Sequence, residues 1–243
     1  MPSEYRANGC RDQQLRLLRD ERRGRTVLYG ANKWSGRLSN GTEVALTQNT
    51  DYPWSGEIKI YVEPNTPVEF SLMLRVPSWA RGASVLVRSR AEKEFEKFDL
   101  TPGEYFPLQR KWSSGDLVEL ALPMRVRLVE GHELIEETRG QVAVLRGPVV
   151  YCIESPDAGQ GIHLSALAIP RSVQFRPVQQ LIGSVQITAL EGEVLKYEHK
   201  DWGTDLYRDV SDVEPQRLNV RMIPYFCWDN RGINEMSIWL PIA

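Results

Sequence analysis

Apolar and polar residues alternate with a period of two along most of this chain. The stretch EIKIYVEP at residues 57–64 alternates Ile58, Ile60 and Val62 with charged or hydroxyl-bearing residues. The stretch VEFSLMLRVP at residues 68–77 repeats the alternation almost throughout. A period of two predicts β-strands that bury one face and turn the other toward water.

Turn-forming residues divide the alternating stretches into short strands. Gly, Pro, Asn or Asp interrupts the pattern at intervals of about 8 to 12 residues, which is typical of an all-β sandwich or barrel. The stretches SVLVRSR and DLVELALPMRVRLVE continue the same period. Beyond the first part of the chain, no segment of about 10 residues keeps a helical period, so α/β architectures are disfavoured.

A second series of strands begins at QVAVLRGPVVYCIES. Gly147 and Pro148 interrupt its apolar run and predict a bend between two strands, because proline cannot donate to a central ladder. Later strands are predicted in SVQITALEGEV, RLNVRMIPYF and MSIWLPI, and the polar residues 198–216 are predicted to form an exposed loop. The polar stretch GHELIEETRG, residues 131–140, separates the two series and marks the domain boundary.

The first residues of the chain differ from the rest in their charge. The stretch RDQQLRLLRDERRGR sets three leucines among arginines and acids, which indicates a short helical or disordered leader. A basic arm for nucleic acid is the alternative, but Asp12, Asp20 and Glu21 offset much of its charge. The prediction is an all-β chain with a leader at residues 1–26 and two consecutive β-sandwich, jelly-roll-like domains at residues 27–130 and 131–243.

Composition narrows the classes of partner. The 30 basic and 32 acidic residues leave a net charge of −2, which gives no overall field for nucleic acid or an acidic membrane. No apolar run approaches the roughly 20 residues of a membrane-spanning helix. The first residues also lack the apolar core of a signal peptide, so a cytoplasmic location is expected.

Cysteine and histidine are too few and too scattered to predict a metal or disulfide site. The cysteines are Cys10, Cys152 and Cys227, and the histidines are His132, His163 and His199. Neither set has the spacing of a CxxC site or a disulfide framework. Cys152 and Cys227 lie in apolar runs, so we expect them to be buried free thiols.

Common catalytic motifs are missing from the sequence. It contains no GxSxG, P-loop, HExxH or GxGxxG pattern. A glycosidase-type carboxylate pair is conceivable among Glu133, Glu136, Glu137, Glu154 and Asp157, which are close in sequence. Such a pair must be held at a defined separation in a cleft, and spacing alone favours a charge-rich linker instead.

Aromatic residues are frequent and often stand beside Gly or Pro, at predicted strand ends. They include Trp34, Tyr52, Trp54, Trp79, Trp112, Trp202, Tyr225, Trp228 and Trp239. An exposed ring of this kind could stack on a sugar, but large aromatics more often close a core or an interface. The stretch IPYFCWDNRG, residues 223–232, concentrates three of them where Pro224 is expected to bend a strand before a turn.

Several stretches, taken in order, resemble one family. They are LTQNTDYPWSGEIKIYVEP, FSLMLRVPSWA, RKWSSGDLVELALPMRVRLVE, GQVAVLRGPVVYCIES, IPYFCWDNRG and NEMSIWLP. Together they resemble the non-catalytic β-sandwich region of glycoside hydrolase family 127, the β-L-arabinofuranosidase type. The resemblance covers roughly residues 27 to 241.

The resemblance implies that catalysis belongs to a part of the family that this sequence does not match. Family members carry an α/α barrel with a zinc ion held by cysteines and a glutamate. One cysteine is the nucleophile and a second glutamate is the acid/base. Cys10 does not match the surrounding family pattern and no Cys-Cys pair is present. No catalytic or metal-binding residue is therefore carried over, and the expected cofactor list of this chain is empty.

Three functions are compatible with these observations. The favoured one is a non-catalytic scaffold, from a truncated or split gene, whose partner would be a chain carrying the α/α barrel. The second is a free-standing carbohydrate-binding module, which would show a row of coplanar exposed aromatic rings on one sheet face. The third is a self-sufficient hydrolase that uses sandwich carboxylates, which would show a deep cleft. Nucleic acid and membrane are not expected partners.

Overall fold

The computed structural model describes most of the chain after the predicted leader. It describes residues 23–25, 29–90, 95–159, 161–197, 204, 206–207 and 214–243. The leader prediction lies outside these residues except at β1 (Arg23–Arg25). Cys10, His199, Trp202 and most of the predicted loop 198–216 also lie outside them.

The regular secondary structure of the described residues is almost entirely β-strand, which confirms the all-β prediction. The chain divides into a first unit, Met1–Met124, and a second unit, Arg125–Ala243. Residues Val126–Glu130 form strand β10, which pairs with β11 of the second unit. The sequence had assigned those five residues to the first domain.

The described part of the first unit contains nine strands in two sheets. They are β1 (Arg23–Arg25), β2 (Asn32–Arg37), β3 (Glu43–Asn49), β4 (Glu57–Pro64), β5 (Val68–Arg75), β6 (Ser84–Arg88), β7 (Phe95–Asp99), β8 (Tyr105–Trp112) and β9 (Asp116–Ala121). One sheet has the order β1-β5-β8 and the other has the order β2-β3-β4-β9-β6-β7. Apart from the parallel pair β1 and β5, neighbouring strands are antiparallel.

The apolar faces of both sheets of the first unit bury into one core. Alternate residues of β4 are buried and the others are exposed, as the period of two predicts. Trp112 of β8 is fully buried, donates its indole N–H to the Phe70 carbonyl at 3.0 Å and has the Phe70 ring 5.7 Å away. A buried indole needs such an acceptor because its N–H cannot reach water. This contact joins strands β5 and β8 within the core.

The second unit contains the remaining strands and one short α-helix, α1 (Ser155–Ala158). The strands are β10 (Val126–Glu130), β11 (Gln141–Arg146), β12 (Val149–Glu154), β13 (Leu167–Ala168), β14 (Arg176–Ile182), β15 (Val185–Lys196), β16 (Gln216–Pro224), β17 (Met236–Ser237) and β18 (Trp239–Pro241). The main path of the sheet is β10-β11-β12-β16-β15-β13, and β14, β17 and β18 branch from it.

Two strands change partners along their length and so make the sheet of the second unit branch. Residues 144–146 of β11 pair with β12, whereas residues 141–143 pair with β18. Strand β12 pairs with β16 at Tyr151 and Cys152 and with β17 further on. Strands that switch partners in this way form the corners of sandwiches. The core of this unit is buried among these strands and includes Tyr151, whose hydroxyl donates to the Thr188 carbonyl at 2.8 Å.

Replacing Trp112 by Ala should destabilise the first unit strongly. The change removes a fully buried indole and leaves the Phe70 carbonyl without its partner. We expect a loss of about 3–5 kcal/mol in the free energy of unfolding, measured by urea denaturation followed by circular dichroism. Lys59→Ala, an exposed change on β4, is the control and should have little effect; equal losses for both variants would contradict the assignment of Trp112 to the core.

Candidate functional site

The chain leaves β16 through a turn that displays three aromatic side chains. Pro224 is the last residue of the strand, and Tyr225–Cys227 form one turn of 3₁₀ helix. Asp229 then takes a left-handed backbone conformation with φ of 64°, which short polar residues adopt more readily than others. We call residues 225–232 the aromatic turn.

The aromatic side chains of this turn are largely outside the core. Tyr225 and Trp228 are each 42% exposed and Phe226 is 62% exposed. The rings of Tyr225 and Trp228 are nearly parallel, with planes 7° apart and centroids separated by 6.2 Å. The turn therefore presents an ordered aromatic surface.

A buried cluster around Arg231 holds the turn from beneath. The Glu154 carboxylate is fully buried at the end of β12 and accepts from the Arg231 Nε at 2.7 Å. It also accepts from the backbone N–H of Asp229 at 3.1 Å and from the Asn234 side-chain amide at 3.2 Å. The Nη1 of Arg231 donates to Asp157 of α1 at 2.9 Å. We call Glu154, Asp157, Arg231 and Asn234 the Arg231 cluster.

Charge pairing is what makes this burial possible. An isolated buried carboxylate would cost several kcal/mol, but charge-assisted hydrogen bonds to a guanidinium offset that cost. Hydrogen bonds from Arg231 to Asp157 and to Glu154 raise the pKa of the guanidinium above its usual range, although partial burial acts against this. The cluster is thus a fixed ionic connection between β12, α1 and the aromatic turn.

Hydrogen bonds within the turn add to this restraint. The side-chain amide of Asn230 donates to the Cys227 carbonyl at 3.0 Å and to the Trp228 carbonyl at 3.3 Å. The backbone N–H of Trp228 donates to the Tyr225 carbonyl at 3.0 Å. The side chain of Asn230 therefore closes the turn on itself.

The two described cysteines lie behind the turn as buried free thiols, as the sequence predicted. Burial, and then the charge of Glu154, raises the pKa of the Cys152 thiol to about 12. The same two causes, in the same order, raise the pKa of Cys227. Both side chains are therefore protonated thiols at neutral pH, and neither has the thiolate character of a nucleophile.

The zinc site of the family does not fit these residues. The resemblance implies a zinc ion held by cysteines and a glutamate, whereas Glu154 here is hydrogen-bonded to the Arg231 guanidinium and to the backbone N–H of Asp229. Within the described ranges, no three His, Cys, Asp or Glu side chains come together in a way that could hold a metal ion. His163 instead lies beside Glu235, with 2.9 Å between Nδ1 and Oε1, at the surface.

The structure separates the carboxylates that the sequence grouped together. Glu133, Glu136 and Glu137 are exposed in the segment between β10 and β11. Glu154 and Asp157 do come together, but both face the guanidinium of Arg231. A glycosidase pair must instead face the two sides of a sugar ring, and a fully buried Glu154 cannot reach one. The geometry therefore argues against hydrolysis by this pair.

A polar groove of about 590 Å³ lies beside the cluster and is filled with paired charges. Its lining includes Asp157 and the outward side chains of β14, β15 and β16. Glu191 accepts from Arg176 at 2.8 Å and from Arg221 at 2.5 Å, and these hydrogen bonds lower its pKa. The charges of the groove are thus largely satisfied by one another.

Four other aromatics of the sequence prediction lie in or against the core of the first unit. Trp112 is buried, and Trp34, Tyr52 and Trp79 pack partly buried against the core of the first unit. Tyr225 and Trp228 differ, because they lie on a turn rather than on a sheet face. No helix among the described residues is long and apolar enough to cross a membrane.

Comparison with known proteins matches both units to domains of one family. Residues 25–124 match the β-L-arabinofuranosidase, glycoside hydrolase family 127 middle domain, and residues 126–241 match the glycoside hydrolase family 127 C-terminal domain. The chain is 30% identical over 232 residues to the non-reducing end β-L-arabinofuranosidase of Bifidobacterium longum subsp. longum. That alignment covers 89% of this chain and 33% of the Bifidobacterium enzyme.

Solved structures give the same answer. A family 127 β-L-arabinofuranosidase from Geobacillus stearothermophilus T6 matches with a TM-score of 0.82 and 31% identity, over 93% of this chain and 34% of that one. Another glycoside hydrolase matches with a TM-score of 0.81 and 37% identity, over 90% of this chain and 36% of that one. The chain therefore spans about a third of the length of the relatives it matches.

Replacing Arg231 by Gln should destabilise the second unit because it leaves the buried charge of Glu154 without its counter-ion. We expect a loss of about 3–5 kcal/mol in the free energy of unfolding, measured by urea denaturation at neutral pH. The matched control is Arg217→Gln, which breaks an exposed pair with Glu193 and should change stability by about 1 kcal/mol or less. Similar effects of the two changes would show that the Arg231 cluster is not a buried ion pair.

Cys152 and Cys227 should resist alkylation in the folded protein. Both side chains are buried and their raised thiol pKa values disfavour the thiolate, so iodoacetamide should label neither before the chain is unfolded in urea. Peptide mass spectrometry distinguishes them from Cys10, which serves as the internal comparison. Rapid labelling of Cys152 in the native chain would overturn its assignment as a buried neutral thiol.

Proposed function

The chain belongs to glycoside hydrolase family 127, and from this membership we propose that it is the non-catalytic scaffold region of an enzyme that hydrolyses β-L-arabinofuranosides. The relatives that carry this activity by name are about three times as long as the part they share with this chain. The matched part corresponds to the middle and C-terminal domains of the family. A truncated or split gene product is part of the proposal.

The geometry of the Arg231 cluster is the observation that carries the proposal. It contains the two neighbouring carboxylates that a glycosidase would need, and both are neutralised by a single arginine. The nearby thiols are buried and protonated, so they do not supply a nucleophile. The candidate site is built to hold a turn in place, which is a structural task.

The zinc chemistry of the family is assigned to the part of its members that this chain does not match. Zinc would act there as the resemblance implies, with its own cysteine and glutamate ligands. In this proposal the chain contributes no zinc ligand. Its role is to support the domain that holds the metal.

A carbohydrate-binding module is the less favoured function. It requires a row of coplanar exposed rings along one sheet face, where a sugar chain could lie. The parallel rings of Tyr225 and Trp228 instead belong to a turn at a strand end. Exposed aromatic side chains on such a turn are compatible with a contact between folded domains.

The purified chain should not hydrolyse an aryl β-L-arabinofuranoside in the presence of zinc and reductant. Release of the aryl group, followed by absorbance, measures this directly. The positive control is the full-length Bifidobacterium longum enzyme. Turnover by this chain alone would contradict the proposal, whether or not a Glu154→Gln variant keeps the activity.

In a second experiment, this chain is mixed with the part of the Bifidobacterium enzyme that lies outside the aligned region. That part is purified separately and checked for folding by circular dichroism. Formation of a complex in light scattering, with a gain in arabinofuranosidase activity, is the expected result. Absence of any complex between the two folded proteins would remove the scaffold function.

A further inference from the structure

We propose that the aromatic turn, residues 225–232, is the surface on which this chain docks the catalytic domain of a family 127 enzyme. The inference rests on the proposed scaffold function and adds the place of contact. The occupant is a folded protein domain with an apolar surface, supplied by the two thirds of the family length that this chain does not match.

Exposed aromatic surface is concentrated in the aromatic turn. Tyr225, Phe226 and Trp228 fall within four positions and are 42%, 62% and 42% exposed. Tyr and Trp combine a large apolar body with a polar tip, and they are enriched at the centres of protein interfaces. Other exposed apolar side chains in the described ranges stand alone or in pairs, as on ordinary protein surfaces.

The Arg231 cluster holds the aromatic turn in a fixed position. A surface loop does not need a fully buried carboxylate with three hydrogen-bonding partner groups to stay folded, yet the aromatic turn is fixed by Glu154 and Arg231. Burying such a cluster carries a desolvation cost. Preorganising contact residues lowers the entropic cost of binding. A docking surface therefore explains why the turn has a support with such a desolvation cost.

Polar residues form the edge of the aromatic surface. Asp229 and Asn230 are exposed beside the rings, and Gly232 completes the turn. A centre of aromatic residues with a polar edge is the usual anatomy of a specific protein interface. The charges of Arg231, Glu154 and Asp157 beneath the turn are already paired with one another.

Domain contact is favoured over sugar binding by the position of the rings. Tyr225 and Trp228 stack on each other, and the large polar groove of this unit is lined by other residues. A sugar site would need hydrogen-bonding groups converging beside the rings. The side-chain N–H groups of Asn230 are already donated to the Cys227 and Trp228 carbonyls.

The test measures binding between this chain and the separately purified, folded remainder of the Bifidobacterium enzyme. The variants are Phe226→Ser and Trp228→Ser, and isothermal titration calorimetry gives the dissociation constants. Each variant should weaken binding at least about tenfold, because central aromatic residues carry most of the energy of an interface. The matched control is Phe95→Ser, which removes a phenyl ring of similar exposure, 67%, from β7 of the first unit.

A second measurement uses only the unmodified chain. Hydrogen–deuterium exchange, with and without the partner, should show slower exchange in peptides that contain residues 225–232. This readout does not depend on whether a variant folds. Protection confined to other peptides would overturn the proposal.

The outcomes distinguish this inference from the function on which it rests. If the unmodified chain forms no complex, the scaffold function fails, and this inference fails with it. If the complex forms but binding is unchanged in Phe226→Ser and Trp228→Ser, only the docking surface is wrong. If the variants instead abolish binding of arabino-oligosaccharides to the chain alone, the turn is a sugar site and the docking proposal is overturned.

Discussion

A carboxylate buried without water must have its charge neutralised, and this constraint determines the architecture around Glu154. The side chain ends strand β12 inside the second unit, where Arg231 supplies a full positive charge at short range. Arg231 reaches it from a turn that is distant in sequence, and it also binds Asp157 of α1. One ion pair therefore ties a strand end, a helix and a turn to a single arrangement. The position of the exposed aromatic rings depends on that arrangement.

The two units solve the problem of a β core in different ways. The first buries the apolar faces of two separate sheets against each other, with Trp112 joining neighbouring strands through its indole N–H. The second uses one branched sheet and buries an ion pair, Glu154 with Arg231, at the end of β12. Buried polar groups cost stability unless every one of them finds a partner, and they fix geometry more sharply than apolar packing does. The buried ion pair places the candidate site in the second unit.

Most of the strands could be predicted from the sequence because their alternation reports burial directly. Residues 57–64 and 68–75 match strands β4 and β5, and the free thiols of Cys152 and Cys227 were expected from their apolar neighbours. The Arg231 cluster could not be predicted, because its acidic members and its arginine are far apart in sequence and nothing local marks their contact. The charged residue inside an otherwise apolar strand end, Glu154, was the one available signal. The exposure of Tyr225 and Trp228 was hidden for a similar reason, since composition alone does not distinguish an aromatic in a core from one on a surface.

The change of partners along β11 has a consequence for how the protein is made. Half of that strand is completed by β18, which is the last strand of the unit in sequence. The ribosome therefore synthesises β11 well before β18. Until β18 has been made, residues 141–143 of β11 lack the partner that completes this edge. Contacts between distant segments form slowly because the loop that joins them must first close. During synthesis the second unit passes through a stage with an unpaired strand edge, and unpaired edges invite association with other chains.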